Sequence, residues 1–89
     1  KDLSLKDISK ELYINPVYLG QLIKRETNST FAELLNKQRI KAAQQLLLAK
    51  NDSIEDVCYA VGYSNVGYFY KVFRKLCGKS PKAYRKQVE

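Results

Sequence analysis

Gln21 lies one helical turn after Val17 and three residues before Lys24, with Gly20 beside it, behind an Asn15-Pro16 pair. A carboxamide donates and accepts at once, which suits N7 and N6 of adenine. A valine methyl can touch the thymine methyl, and a lysine can donate to guanine O6 and N7. Some fifty positions on, a second set, Val66, Gly67, Tyr70 and Lys71, follows Ser64-Asn65. There Lys71 could donate to guanine, Tyr70 could pack on a base or reach a phosphate, and Gly67 permits close approach. Beside the sets stand cations and helix starts of the kind that hold phosphate: Arg25, Ser29 and Thr30, then Arg74, Lys75, Lys79, Ser80 and Lys82. Any one of these polar side chains could equally be plain solvated surface. The cluster Lys71, Arg74, Lys75 and Lys79, however, is hard to explain by folding.

Other chemistries find no residues. The chain has no histidine, no Gly-rich phosphate loop and no paired carboxylates on a recognisable pocket, so catalysis is not expected. Cys58 and Cys77 lack metal-ligand spacing and read as reduced thiols filling small packing positions. Neither metal nor cofactor is expected. Tyr63, Phe69, Phe73 and Tyr84 have core spacing, and no strand pattern offers a platform for stacking single-stranded bases.

The elements that would position the two sets are written as a repeat. Leu5, Ile8, Leu12, Ile14, Leu19, Leu22 and Ile23 are matched by Ile54, Val57, Val61, Tyr63, Phe69, Val72 and Phe73. The offset is 49 before the break and 50 after it, so the second copy has one extra residue in its turn. Each copy reads as helix, turn, helix, and units of this kind most often bind DNA. Ser4 caps a helix over Leu5–Tyr13, and Asn15-Pro16 starts one running to about Glu26. Asn28 ends that helix in the left-handed region, and Thr30 with Glu33 forms a capping box for a long helix from Phe31 to about Ala49. About nineteen residues at 1.5 Å each make a rod of about 28 Å. Lys50, Asn51 and Asp52 break it, Ser53 caps a helix over Ile54–Val61, and Gly62 takes a positive φ at the corner. Asn65 opens the next helix, with Phe69, Val72, Phe73 and Leu76 inward and Gly78 as its C-cap. Ser80-Pro81 opens a last short one. The fold is all-α: two helix-turn-helix units, homeodomain-like lobes, joined by a long connecting helix. The divisions fall at 1–29, 30–50 and 51–89, with recognition helices over about 15–26 and 65–77.

Sixteen Lys and Arg against nine Asp and Glu give a net charge of +7 over 89 residues. Residues 1–63 hold nine basic and eight acidic side chains, whereas 64–89 hold seven basic and only Glu89. The positive field belongs to the second lobe and attracts polyanions, nucleic acid above all. The competing reading is a basic helical protein-interaction or membrane-surface module. No apolar run spans a bilayer and no signal peptide is evident, so a soluble, cytoplasmic protein is expected. A chain that begins at Lys1 and has no methionine reads as part of a longer protein.

Ile54-Glu55-Asp56-Val57-Cys58 through Val61-Gly62-Tyr63, Tyr68-Phe69, Val72-Phe73-Arg74-Lys75, Gly78-Lys79-Ser80-Pro81 and Tyr84-Arg85 resembles the signature of AraC/XylS-type transcription regulators. The first half is similar to the same family's upstream unit in Leu19, Leu22, Ile23, Lys24, Glu26-Thr27, Arg39, Ala43, Leu46 and Leu47. The resemblance covers nearly the whole chain. It implies a seven-helix domain whose first helix falls before Lys1, with two recognition helices entering successive major grooves of double-stranded DNA. It also implies a sensing domain upstream, RNA polymerase as a partner of the full regulator, and dimerisation, if any, outside this monomeric part. Gly67 and Tyr70 stand where the family often has small polar residues, which bears on the sequence read. Arg39 and Arg85 match family positions, yet packing or an ion pair suits them as well as DNA.

Overall fold

The computed structural model describes residues 4–49 and 52–87. The break at Lys50 and Asn51 lies outside the described residues. Six helices follow one another: α1 Leu5–Glu11, α2 Pro16–Thr27, α3 Phe31–Ala49, α4 Ile54–Ala60, α5 Val66–Cys77 and α6 Pro81–Gln87. The described residues contain no strand. The chain divides into two compact units, Lys1–Leu35 and Asn36–Glu89, so the boundary falls inside α3.

Local chemistry sets most helix ends. Ser4 accepts from the Asp7 amide at 3.1 Å and Ser53 from the Asp56 amide at 3.0 Å. Asn15 accepts from Val17 at 2.8 Å, and Asn65 from Tyr68 at 2.9 Å. Each satisfies an amide that the first helical turn leaves without a partner. At the other ends Asn28 and Gly78 are left-handed, at φ 61° and 79°.

The two corners share one design. In the first, the Ile14 amide donates to the Ser9 carbonyl and Tyr13 to Lys10. In the second, Tyr63 donates to Cys58 and Gly62 to Tyr59. Both are the paired bonds of a Schellman C-cap, which requires a left-handed residue just past the cap. Gly62 supplies it at φ 108°. In the first corner Tyr13 does so at φ 57°, and α1 therefore stops at Glu11 rather than reaching Tyr13. The extra residue of the second copy is Ser64, between the corner and the Asn65 cap.

The second unit holds one continuous core: Ile40, Ala43, Leu47, Val57, Cys58, Val61, Tyr63, Phe69, Val72 and Phe73. Its rings meet edge-on or tilted, Tyr63 on Phe69 at 5.5 Å, Phe69 on Phe73 at 5.8 Å and Phe73 on Tyr84 at 5.6 Å. Leu76, placed inward by its spacing, is 41% exposed, while Cys77 after it is half-buried and packs against the core. Arg85 ties α6 to the end of α3, donating from Nε to the Leu47 carbonyl at 3.0 Å and from Nη2 to the Asp52 carbonyl at 2.8 Å. A guanidinium at a helix C-terminus also favours the dipole. In the first unit Leu19 and Ser9 are the buried residues, with Ile8, Leu22, Ile23 and Leu34 half-buried around them.

Candidate nucleic-acid interface

On α2 the buried Leu19 and half-buried Leu22 and Ile23 fix one side of the helix. Val17, Gln21, Lys24 and Arg25 lie exposed on the opposite side, Val17 at 69%. Gly20 differs from expectation: it is half-buried, and a Cβ there would sit 3.2 Å from Leu5 Cδ2. Its missing side chain lets α1 approach α2. On α5, Phe69, Val72 and Phe73 face the core, while Gly67, Lys71, Arg74 and Lys75 are exposed opposite. Val66 and Tyr70 are half-buried and pack against the core, Tyr70 edge-on to Phe69 at 6.2 Å. The spacing of 66, 70 and 77 puts them at the margin between core and surface, which is why a purely outward assignment fails for two of the four.

The phosphate candidates separate in the same way. Arg25, Thr30, Arg74, Lys75, Lys79 and Lys82 are exposed, whereas Ser29 and Ser80 are half-buried. At the start of α3 the amides of Ser29 and Thr30 themselves are already partnered. Ser29 donates its amide to the Thr27 hydroxyl at 3.2 Å, and Thr30 donates to the Glu33 carboxylate at 2.8 Å. Glu33 returns its own amide to the Thr30 hydroxyl at 3.1 Å. The capping box thus places the Glu33 carboxylate at the start of α3, beside the position an anion would take. At α6, the Ser80 hydroxyl accepts from the Ala83 amide at 3.1 Å.

Arg39 belongs to the frame of this surface. Its guanidinium lies 5.3 Å from the centre of the Tyr63 ring and close against Gly62. The Tyr63 hydroxyl donates to Asn36 Oδ1 at 2.7 Å. Burial pushes its pKa up to about 12, against the lowering influence of Arg39, with Tyr68 and Cys58 adding smaller upward pushes. Burial also raises the Cys58 thiol, with Glu55 adding to it, and the Sγ donates to the Tyr63 carbonyl at 3.7 Å. Burial raises Cys77 too, against a hydrogen bond from Gln44. Both thiols are protonated packing groups. Among the described residues no cluster of side chains could hold a metal ion, and no helix is long and apolar enough to cross a membrane.

Tyr68, part of the Tyr68-Phe69 pair in the family signature, has no contact role in the sequence pattern. It is exposed at the third position of α5, and the Asn36 side chain donates to its hydroxyl at 3.3 Å. Its neighbour Phe69 is core, and the aromatic spacing drew attention there. The signal for it is the offset of 50 from Tyr18, which the sequence places among the outward residues of the first recognition helix with Val17, Gly20, Gln21 and Lys24.

Two corner-linked helix pairs, each with a capped second helix showing a polar or cationic stripe, define a double helix-turn-helix domain. The model of the helix-turn-helix domain family matches residues 8–87, and the chain belongs to that family, in its AraC-type branch, a class of transcription-regulator domains rather than of enzymes. It is 36% identical over 87 residues to the regulatory protein PocR of Salmonella typhimurium, covering 98% of this chain and 29% of PocR. Among solved structures it is similar to the C-terminal domain of AraT, a response regulator from Geobacillus stearothermophilus. That match has a TM-score of 0.89 and 38% identity, over 97% of this chain and 71% of that one. It is also similar to a DNA-binding transcriptional dual regulator from Escherichia coli K-12, with a TM-score of 0.85 and 32% identity over 98% and 78% of the two chains. The chain spans less than a third of the length of PocR and of other curated relatives that it matches.

Proposed function

We propose that this domain binds double-stranded DNA sequence-specifically as the reading head of a cytoplasmic transcription regulator, with α2 and α5 entering successive major grooves. The observation that carries the reading is the pair of exposed stripes opposite the apolar sides of α2 and α5: Val17, Gln21, Lys24 and Arg25 on the first, Gly67, Lys71, Arg74 and Lys75 on the second. Folding does not require cations at equivalent places in both copies, whereas a polyanion does. Gln21 and Lys71 read base edges, with Val17 on a thymine methyl and Lys24 at the rim of the groove. Gly67 allows close approach, and Gly20, Val66 and Tyr70 border the contact. Arg25, Arg74, Lys75, Lys79 and Lys82 neutralise phosphates, helped by the hydroxyls of Thr30, Ser29 and Ser80. In the full regulator, RNA polymerase is the partner through which DNA binding acts, and any dimer contact lies outside this domain, which is monomeric.

Selection of the domain against a random duplex library at physiological salt tests the reading. Enrichment of a bipartite site with its parts about 10 base pairs apart is the expected result. Equal binding to all duplexes, heparin and anionic vesicles would overturn it in favour of an electrostatic module.

A further inference from the structure

The repeat carries more than the apolar pattern. Tyr18, Gln21 and Arg25 recur fifty positions later as Tyr68, Lys71 and Lys75, each set spaced i, i+3, i+7 along its helix. All six side chains are exposed. On a helix this spacing makes one continuous ridge, which shares Gln21 and Lys71 with the base-reading stripe and flanks it with Tyr18, Arg25, Tyr68 and Lys75. Core packing does not call for a tyrosine at its head, since both rings stand about half in solvent, Tyr18 at 52% and Tyr68 at 48%.

In the second unit the hydroxyl is aimed. Tyr63 donates to Asn36 Oδ1 at 2.7 Å, which orients the carboxamide so that Nδ2 donates to the Tyr68 hydroxyl at 3.3 Å. The edge-on contact of the Tyr63 and Tyr68 rings, 5.9 Å between centres, holds the second ring in place. A phenol oxygen that accepts from an amide keeps its own proton for another acceptor. That proton is presented from the first turn of α5, at the head of the ridge ending in Lys75.

We infer that Tyr68 is a phosphate anchor: its hydroxyl donates to one backbone phosphate of the bound duplex, and Asn36, held by Tyr63, is the positioning residue that turns the proton outward. The inference rests on the DNA-binding reading above. It assigns to a neutral side chain the task of fixing the register of α5, which Lys75, on a longer and more flexible stem, fixes less closely. Tyr18 occupies the matching place on α2.

The test uses the domain and its selected duplex, with single phosphates replaced in turn by uncharged methylphosphonates. Tyr68→Phe keeps the ring and removes only the hydroxyl, and its melting temperature without DNA reports any loss of folding. Binding should weaken about tenfold, as for a lost hydrogen bond to a charged group. At one phosphate, neutralisation should weaken the wild type strongly and Y68F much less. Asn36→Ala should weaken binding in the wild type and add nothing to Y68F. Equal sensitivity of wild type and Y68F at every phosphate, or additive effects of the two substitutions, would overturn the inference while leaving the DNA-binding reading intact. If no duplex is preferred over others, the reading itself fails and the anchor with it.

Discussion

Replacing Gly62 by alanine probes the corner that sets the entry of α5. Two penalties add. A residue with a Cβ in the left-handed region is disfavoured by about 1–2 kcal/mol, and Gly62 sits at φ 108°, further out than the usual left-handed position. The new Cβ would also lie 3.0 Å from Arg39 Nε and 3.1 Å from its Cζ. The Arg39 guanidinium, the far end of a flexible side chain 5.3 Å from the Tyr63 ring centre, must then give by a few tenths of an ångström, at a cost of at most about 0.5–1 kcal/mol of cation–π attraction. The total is about 1–3 kcal/mol. With a urea dependence of about 1 kcal/mol per molar for a chain of this size, the midpoint of the second unit's unfolding should fall by about 2 M. Circular dichroism in urea measures it. In an Arg39→Ala background the steric part disappears, so Gly62→Ala should there show only the backbone part, about 1–2 kcal/mol. A loss below about 0.5 kcal/mol in the wild-type background, or the same loss in both backgrounds, would refute the reasoning.

Tyr13→Gly relieves the same strain in the first corner and should raise the stability of that unit by about 0.5–1 kcal/mol, read from amide exchange in α1 and α2. Gln21→Ala should relax preference at one base pair by about 1–3 kcal/mol in competition binding; uniform weakening on every duplex would remove its base-reading role. Lys75→Ala should weaken all duplexes alike and flatten the dependence of log K on log salt by about one unit, and a changed base preference would show it misassigned. Tyr63 has its folded pKa raised from 10 to about 12. Its neutral hydroxyl therefore contributes fully below pH 10, and that contribution, of order 2–3 kcal/mol, is lost as the pH rises through 12. The stability gap between wild type and Tyr63→Phe should narrow over that window in chemical denaturation; a constant gap would contradict the buried, Asn36-bonded hydroxyl.

The fold was largely legible because its punctuation is local. Asn15, Asn28, Ser53, Asn65 and Gly78 act within a few residues of themselves, and each sits where its cap chemistry places it. Tyr13 was not legible, since no local rule puts a tyrosine in the left-handed region; the Schellman bonds of the corner impose it. Leu76 misled because periodicity gives a side chain's direction but not how fully its neighbours cover it near a helix end. At the candidate site, the exposed side chains opposite the core could be read from the repeat, whereas Gly20 against Leu5 depends on how closely α1 approaches. The Thr30–Glu33 box carried a conflict visible in advance, since a carboxylate that caps a helix start occupies the place a phosphate would take.

The core of the second unit has a thermodynamic consequence. Among the described residues its ten core side chains come from α3, α4, α5 and the corner between the last two. Amides within that core exchange with solvent only when the unit opens as a whole, so their protection reports its global stability rather than fraying. Phe69, Val72 and Phe73 therefore fasten the cation-bearing α5 to the least yielding part of its unit, and the stripe opposite them is presented preorganised, with little ordering left to offset the contacts it makes.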